Sequence, residues 1–207
     1  MKGSLLSIAA LGLVVLAGCA GAAPSHTTVS TQAHGAPPPL PTAFTLLAQR
    51  PLHLPKLAAG TPCPLSNTHT VSADYGAASG DGPAYPILGG YAGNARPGVL
   101  PYNPPHDFKS QQWGGQKVLW IVAPTYSGPV LIRGQQLDGP SELRFNLPGA
   151  LGDPPPAALA FLALNLDPHG WSGQPSDTRV RTAGCYAYQA DGTTFSVVIV
   201  FQALPAS

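Results

Sequence analysis

The residue types able to do chemistry are present in this chain, but their spacing is wrong for it. Of six histidines, His26, His34 and His53 lie in or beside a Pro/Ala/Thr-rich stretch, and His69, His106 and His169 stand far apart. Neither H-x-x-x-H nor C-x-x-C occurs, so no ligand set for a metal is expected. Glu142 is the only glutamate, which excludes the H-E-x-x-H zinc-protease pattern. Asp81, Asp138, Asp153, Asp167 and Asp191 stand beside Gly or Pro, the setting of turn-capping carboxylates. Glycoside hydrolysis needs two carboxyl groups about 5–10 Å apart, and nothing in the spacing pairs them. The nucleophile signatures G-x-S-x-G and S-x-x-K are missing. Gly80-Asp81-Gly82 lacks the Lys-Ser/Thr and helix of a phosphate cradle. No catalytic residue, metal or cofactor is expected.

The aromatic residues are the better candidates. Trp113 precedes Gly114-Gly115, and Trp171 lies between Gly170 and Ser172-Gly173. Tyr102 and Tyr126, with Tyr85 and Tyr91, fall in or near expected loops. Exposed loop aromatics suit sugar stacking or protein contact. Trp113, Trp171, Tyr102 and Tyr126 are therefore candidate binding residues. The competing role is to cap the ends of a core.

Charge excludes whole classes of partner. Ten Lys plus Arg face nine Asp plus Glu, and charged residues are 9% of the chain. No basic cluster exists to displace counterions from phosphates, so nucleic acid is not a partner. A polybasic patch for a membrane surface is missing for the same reason.

The chain opens with Met1-Lys2 and an apolar stretch from Leu5 to Leu16. That is too short to span a bilayer, which takes about 20 residues, and fits the core of a signal peptide. It ends in Leu16-Ala17-Gly18-Cys19, which resembles the bacterial lipobox. The resemblance implies cleavage before Cys19, a diacylglyceryl group with fatty chains such as palmitate on its sulfur, and a lipid anchor at the extracytoplasmic face of the cell membrane. The alternative is an ordinary signal peptide cut near the same small residues. With Cys19 lipidated, Cys63 and Cys185 remain in an oxidising compartment, where one pairing is possible. Closing a loop of roughly 120 residues is worth close to 5 kcal/mol on a chain-entropy estimate. The alternative is two free thiols.

These residues need elements to carry them. Gly (24) and Pro (25) make almost a quarter of the chain, yet 44% is hydrophobic. Short apolar runs between turn residues indicate an all-β domain, because proline costs about 3 kcal/mol inside a helix. The organisation expected is a signal peptide (1–18), a disordered Pro/Ala/Thr-rich tether (19–58) and a β domain (59–207). Leu46, Leu47, Leu52 and Leu54 leave the tether's inner edge soft. Strands are expected at His69–Ala73, Tyr85–Tyr91, Lys117–Ala123, Pro129–Leu137, Glu142–Asn146, Phe161–Leu164 and Thr178–Thr182. Cys185–Gln189 and Thr194–Gln202 should form a hairpin around Asp191-Gly192, with Phe195, Val197, Ile199 and Phe201 facing the core. Val198 and Val200 suggest partial cover on the second face.

The run Gly184-Cys185-Tyr186-Ala187-Tyr188-Gln189, then Asp191-Gly192 and Phe195 to Phe201, resembles the ending of an uncharacterised family of secreted and lipid-anchored bacterial proteins. Their Gly-Cys-Tyr or Gly-Cys-Trp precedes a closing hairpin. Gly128–Gly134, Leu137-Asp138-Gly139 and Thr61-Pro62-Cys63-Pro64 resemble the same family's earlier parts. The resemblance implies an immunoglobulin-like antiparallel β-sandwich with long Gly/Pro-rich loops and a Cys63–Cys185 disulfide, and it implies no activity. Immunoglobulin domains carry a Tyr two residues before the second Cys, where this chain has Ala183. The function expected is a non-enzymatic envelope module, structural or binding an envelope protein or glycan. The alternative is a small hydrolase or accessory domain acting on envelope polymers.

Overall fold

Short apolar runs separated by Gly and Pro do become strands. The computed structural model describes residues 42–58, 60–89, 96–153 and 156–206. The signal peptide, Cys19, the tether to Pro41 and the Tyr91 end of one expected strand lie outside the described residues. In chain order the elements are α1 (Thr42–Ala48), β1 (Thr68–Ser72), β2 (Gly76–Ser79), β3 (Ala84–Ile87), β4 (Val99–Tyr102), a 3-10 turn (Pro105–Phe108), β5 (Gly114–Val122), β6 (Gly128–Gln136), β7 (Arg144–Asn146), β8 (Leu159–Ala163), β9 (Ser172–Val180), β10 (Gly184–Gly192) and β11 (Ser196–Pro205).

They form a sandwich. One sheet has the order β4-β11-β10-β6-β8 and the other β3-β5-β9-β7, with β1-β2 a separate hairpin. All the strand pairs are antiparallel except β11 with β4. Alternation along each strand fills the space between the sheets. Val118, Trp120 and Val122 come from β5, Tyr186, Tyr188 and Ala190 from β10, and Ile199 and Phe201 from β11. Tyr188 is the centre of this core. Its ring stacks on Phe201 at 4.4 Å and meets the edge of Trp120 at 5.1 Å. Its hydroxyl donates to Thr178 Oγ1 at 2.8 Å, which satisfies a fully buried polar group. Burial holds the Tyr188 phenol well above its ordinary range.

Three expectations are corrected. The first is the tether. From Thr42 onward it is a strap across the outer face of the five-stranded sheet. Phe44 and Leu47 of α1 pack on Leu131, and Leu54 and Leu57 pack with Cys63 against Cys185, Ala187 and Val200. Of the aliphatic residues that softened the tether's edge, Leu47 and Leu54 cover the sheet face, while Leu46 and Leu52 stay exposed. The second is the hairpin turn. Asp191 pairs with Ser196 inside the ladder, and Gly192 N–H donates to Phe195 O at 3.0 Å, leaving Thr193-Thr194 at the tip. The physical reason is that Asp191 is wholly buried under the strap. Its carboxylate accepts from Arg133 Nη2 at 2.7 Å and lies 3.8 Å from Arg50 Nη1. The third is the length of β9, expected only at Thr178–Thr182. It starts at Ser172 because it runs along all of β5. Its Pro175 is tolerated because β7 pairs only with residues 177–179, so β9 is open on that side at Pro175.

Cys63 and Cys185 are joined, with a Cα separation of 5.4 Å. The bridge lies on the strap-covered face, beside Leu54 and Leu57. In antibody domains the disulfide instead crosses the core between the sheets.

Candidate functional site

Among the described residues no strap crosses the outer face of the four-stranded sheet. Register puts Tyr85 beside Ile121, and Ile87 beside Leu119, which is opposite Pro175. Farther along, Lys117 is opposite Asp177, and Asp177 is opposite Asn146. The two ends of this face differ.

At one end β3, the β1–β2 hairpin and the loop before β9 bring four rings together. Tyr75 and Trp171 have centroids 6.0 Å apart, Tyr85 and Trp171 6.2 Å, and His69 and Tyr85 6.0 Å. Trp171, Tyr75 and Tyr85 are half-buried, and His69 is exposed. Asp167 fixes the arrangement. It accepts from the Tyr75 hydroxyl at 2.5 Å, from Trp171 N–H at 2.5 Å and from His169 N–H at 2.9 Å. The loop therefore turns on its own aspartate, and the Trp171 ring is set against Tyr75. That hydrogen bond, burial and the nearby carboxylates push the Tyr75 phenol up to about 12. Partial burial raises Asp167, but the donors from Tyr75, Trp171 and His169 outweigh it and hold the carboxyl below its ordinary range. Asp74 lies 3.5 Å from His169 Nε2. Tyr85 folds back over Gly82, where a Cβ would stand 2.0 Å from its hydroxyl and where φ is +78°. Only glycine fits that close approach.

At the other end a short cover closes the face. Arg179 is wholly buried. Its guanidinium sits 4.1 Å over the Phe108 ring, and it donates to Gly114 O at 3.1 Å and Trp113 O at 2.6 Å. Burial lowers its affinity for its proton, while Asp153 and Asp177 act the other way. Burial raises Asp177, against the pull of Arg179 and Lys117. Beside this cover lies a shallow cavity of about 280 Å³ lined by Asn146, Leu147, Leu151, Asp153 and Pro156 among others. Its one carboxylate, Asp153, already accepts from Ser110 Oγ at 2.7 Å and Gln111 N at 3.2 Å.

The four candidate aromatics separate. Trp113 is 3% exposed, with the guanidinium of Arg181 at 4.3 Å and that of Arg144 at 5.8 Å from its ring. Tyr126 is 6% exposed; its hydroxyl donates to Pro129 O at 2.6 Å and accepts from Thr193 N at 3.1 Å. These two loop residues take the competing role of capping rather than binding: both are buried and seal edges of the sandwich. Tyr102 is half-buried on β4 and packs against the main core. Trp171 alone sits in a partly open aromatic group. Sequence reasoning missed its partners His69 and Tyr75, and took Asp167 only as a turn residue. The Asp-Pro-His-Gly-Trp order was the usable signal, since an aspartate that closes its own loop aims the residue that follows.

His106 Nε2 lies 3.1 Å from Asp107 Oδ1 on an open turn, with side chains 81% and 48% exposed. Among the described residues no group of three or more His, Cys, Asp or Glu side chains could hold a metal ion. No described helix is long and apolar enough to cross a membrane. No family model, curated protein or solved structure matches the chain.

Proposed function

We propose that this chain is an envelope lipoprotein, anchored through Cys19 at the extracytoplasmic face of the membrane, whose sandwich binds glycan without catalysing a reaction. The observation that carries the binding reading is the Tyr75–Trp171–Tyr85 group with Asp167 beside it. Half-open aromatic rings offer flat apolar faces to the C–H side of a sugar, and Asp74 and His69 at the rim can exchange hydrogen bonds with its hydroxyls. Leu16-Ala17-Gly18-Cys19 supports the anchor, and the immunoglobulin-like kinship of the closing hairpin stays part of this reading.

The test is a fluorescence titration of the protein with solubilised envelope glycan. Saturable quenching that disappears in Trp171→Phe but survives in Trp113→Phe is expected. Quenching unchanged in Trp171→Phe would contradict the site. New reducing ends released from the glycan would move the reading to a hydrolase.

A further inference from the structure

The five-stranded sheet has its own open region. Among the described residues β8 is an edge strand, paired with β6 on one side. Residues 157–166, Ala-Ala-Leu-Ala-Phe-Leu-Ala-Leu-Asn-Leu, contain no charge. Leu159, Phe161 and Ala163 face the core, so Ala160 and Leu162 face outward, and Ala160 packs beside α1. Leu162, Leu164 and Leu166 are 52%, 55% and 82% exposed, and Leu46 of α1 is 67% exposed. An uncharged, leucine-rich edge strand is the kind of surface proteins ordinarily blunt with Lys or Pro.

We infer that this leucine face rests on the lipid surface to which the chain is anchored. The inference rests on reading Cys19 as the anchor. The described chain starts on this face, with α1 lying over β6 and β8. The roughly 23 residues between Cys19 and Thr42 reach at most about 80 Å. Confinement to that radius gives an effective concentration on the order of millimolar, so a weak apolar contact suffices. The contact desolvates little charge, because Arg133 and Asp191 on the same sheet face are paired to each other at 2.7 Å under the strap.

The test does not depend on natural lipidation. The mature chain from Cys19 is coupled through that thiol to a maleimide lipid in neutral phosphatidylcholine vesicles, since Cys63 and Cys185 are tied up in the bridge. Amide hydrogen exchange over 158–166 is compared between coupled and free protein. It should slow roughly tenfold on vesicles, with no change at the β1–β2 hairpin. The triple variant Leu162→Ser, Leu164→Ser, Leu166→Ser should abolish the difference. Equal exchange in coupled and free protein would overturn the inference. Slowing in free protein that grows with its concentration would also overturn it, by assigning the face to a second copy. The mass of the Cys19 peptide from cells tests the anchor separately: an unmodified cysteine would overturn the lipoprotein reading.

Discussion

The outer faces of the two sheets are finished in opposite ways. On the five-stranded sheet the strap brings its own partners. Arg50 donates to Gly192 O at 2.8 Å, Arg133 donates to Arg50 O at 2.8 Å, and His53 N–H donates to Gln189 Oε1 at 2.7 Å. Asp191 sits at the centre of these bonds with no exposure. On the four-stranded sheet the cover is partial: Phe108 and Trp113 close one end over Arg179, while Trp171, Tyr75 and Tyr85 stay half-open at the other. Charge burial marks the sealed ground, because a buried ion must be paired and hydrogen-bonded. On the other sheet the aromatics held by a carboxylate stay partly exposed, where the proposed glycan contact lies.

The strongest way to break this comparison is at Asp191. Asp191→Ala removes the acceptor for Arg133 and the counter-charge of Arg50, and should cost about 3–5 kcal/mol. Urea unfolding measures it, and proteolysis after Arg50 should show the strap coming loose. A variant that unfolds at the parent's midpoint would mean the strap is not clamped by charge.

Ile199 calibrates the core against the strap. It is fully buried on β11 and packs against Gly80, where a Cβ would stand 2.7 Å from its Cγ1. Ile199→Ala should cost about 2–5 kcal/mol, without loosening the strap. An unchanged denaturation midpoint would show that the face of β11 is wrongly assigned.

The smallest effect belongs to the open face, and pH reads it. The folded protein keeps the Tyr75 proton up to about 12, whereas the ordinary phenol releases it near 10. Stability from this group is therefore full below pH 10 and is lost as the pH climbs through the folded value. Asp167 works in the other direction: its contribution is present above the ordinary carboxylate range and is lost as the pH falls through its lowered value. Tyr75→Phe should reduce the alkaline loss that the parent shows in thermal melts, the remainder belonging to the other buried phenols, Tyr188 and Tyr186 among them. An identical alkaline profile in the variant would mean the Tyr75–Asp167 bond does not contribute.

The sandwich was legible in the sequence because alternation is local. Val197, Ile199 and Phe201 share one face of β11 whatever lies opposite, and with Phe195 just before the strand all four touch the core. The covered second face was legible only in part: Val198 and Val200 hinted at it, but the covering residues Leu54 and Leu57 come from more than 130 residues away. Asp191 was misread for the same reason. Asp-Gly is a turn signal on local grounds, and two distant arginines, Arg133 on β6 and Arg50 on the strap, override it. The site was less legible still. Trp171 could be singled out by its glycine neighbours, but so could Trp113, and only the paths of β9 and the 3-10 turn distinguish them. Tyr75 joins Trp171 through a hydrogen bond to Asp167, 92 residues away, and no spacing encodes that.

The most direct test puts the two tryptophans side by side. Trp171→Ala and Trp113→Ala are each assayed for co-sedimentation with insoluble envelope glycan and for urea unfolding. Trp171→Ala should keep the parent's unfolding midpoint and lose co-sedimentation. Trp113→Ala should lose about 3–5 kcal/mol of stability and, below its unfolding transition, sediment like the parent. Trp171→Ala sedimenting like the parent would contradict the assignment of the open aromatic face as the binding surface.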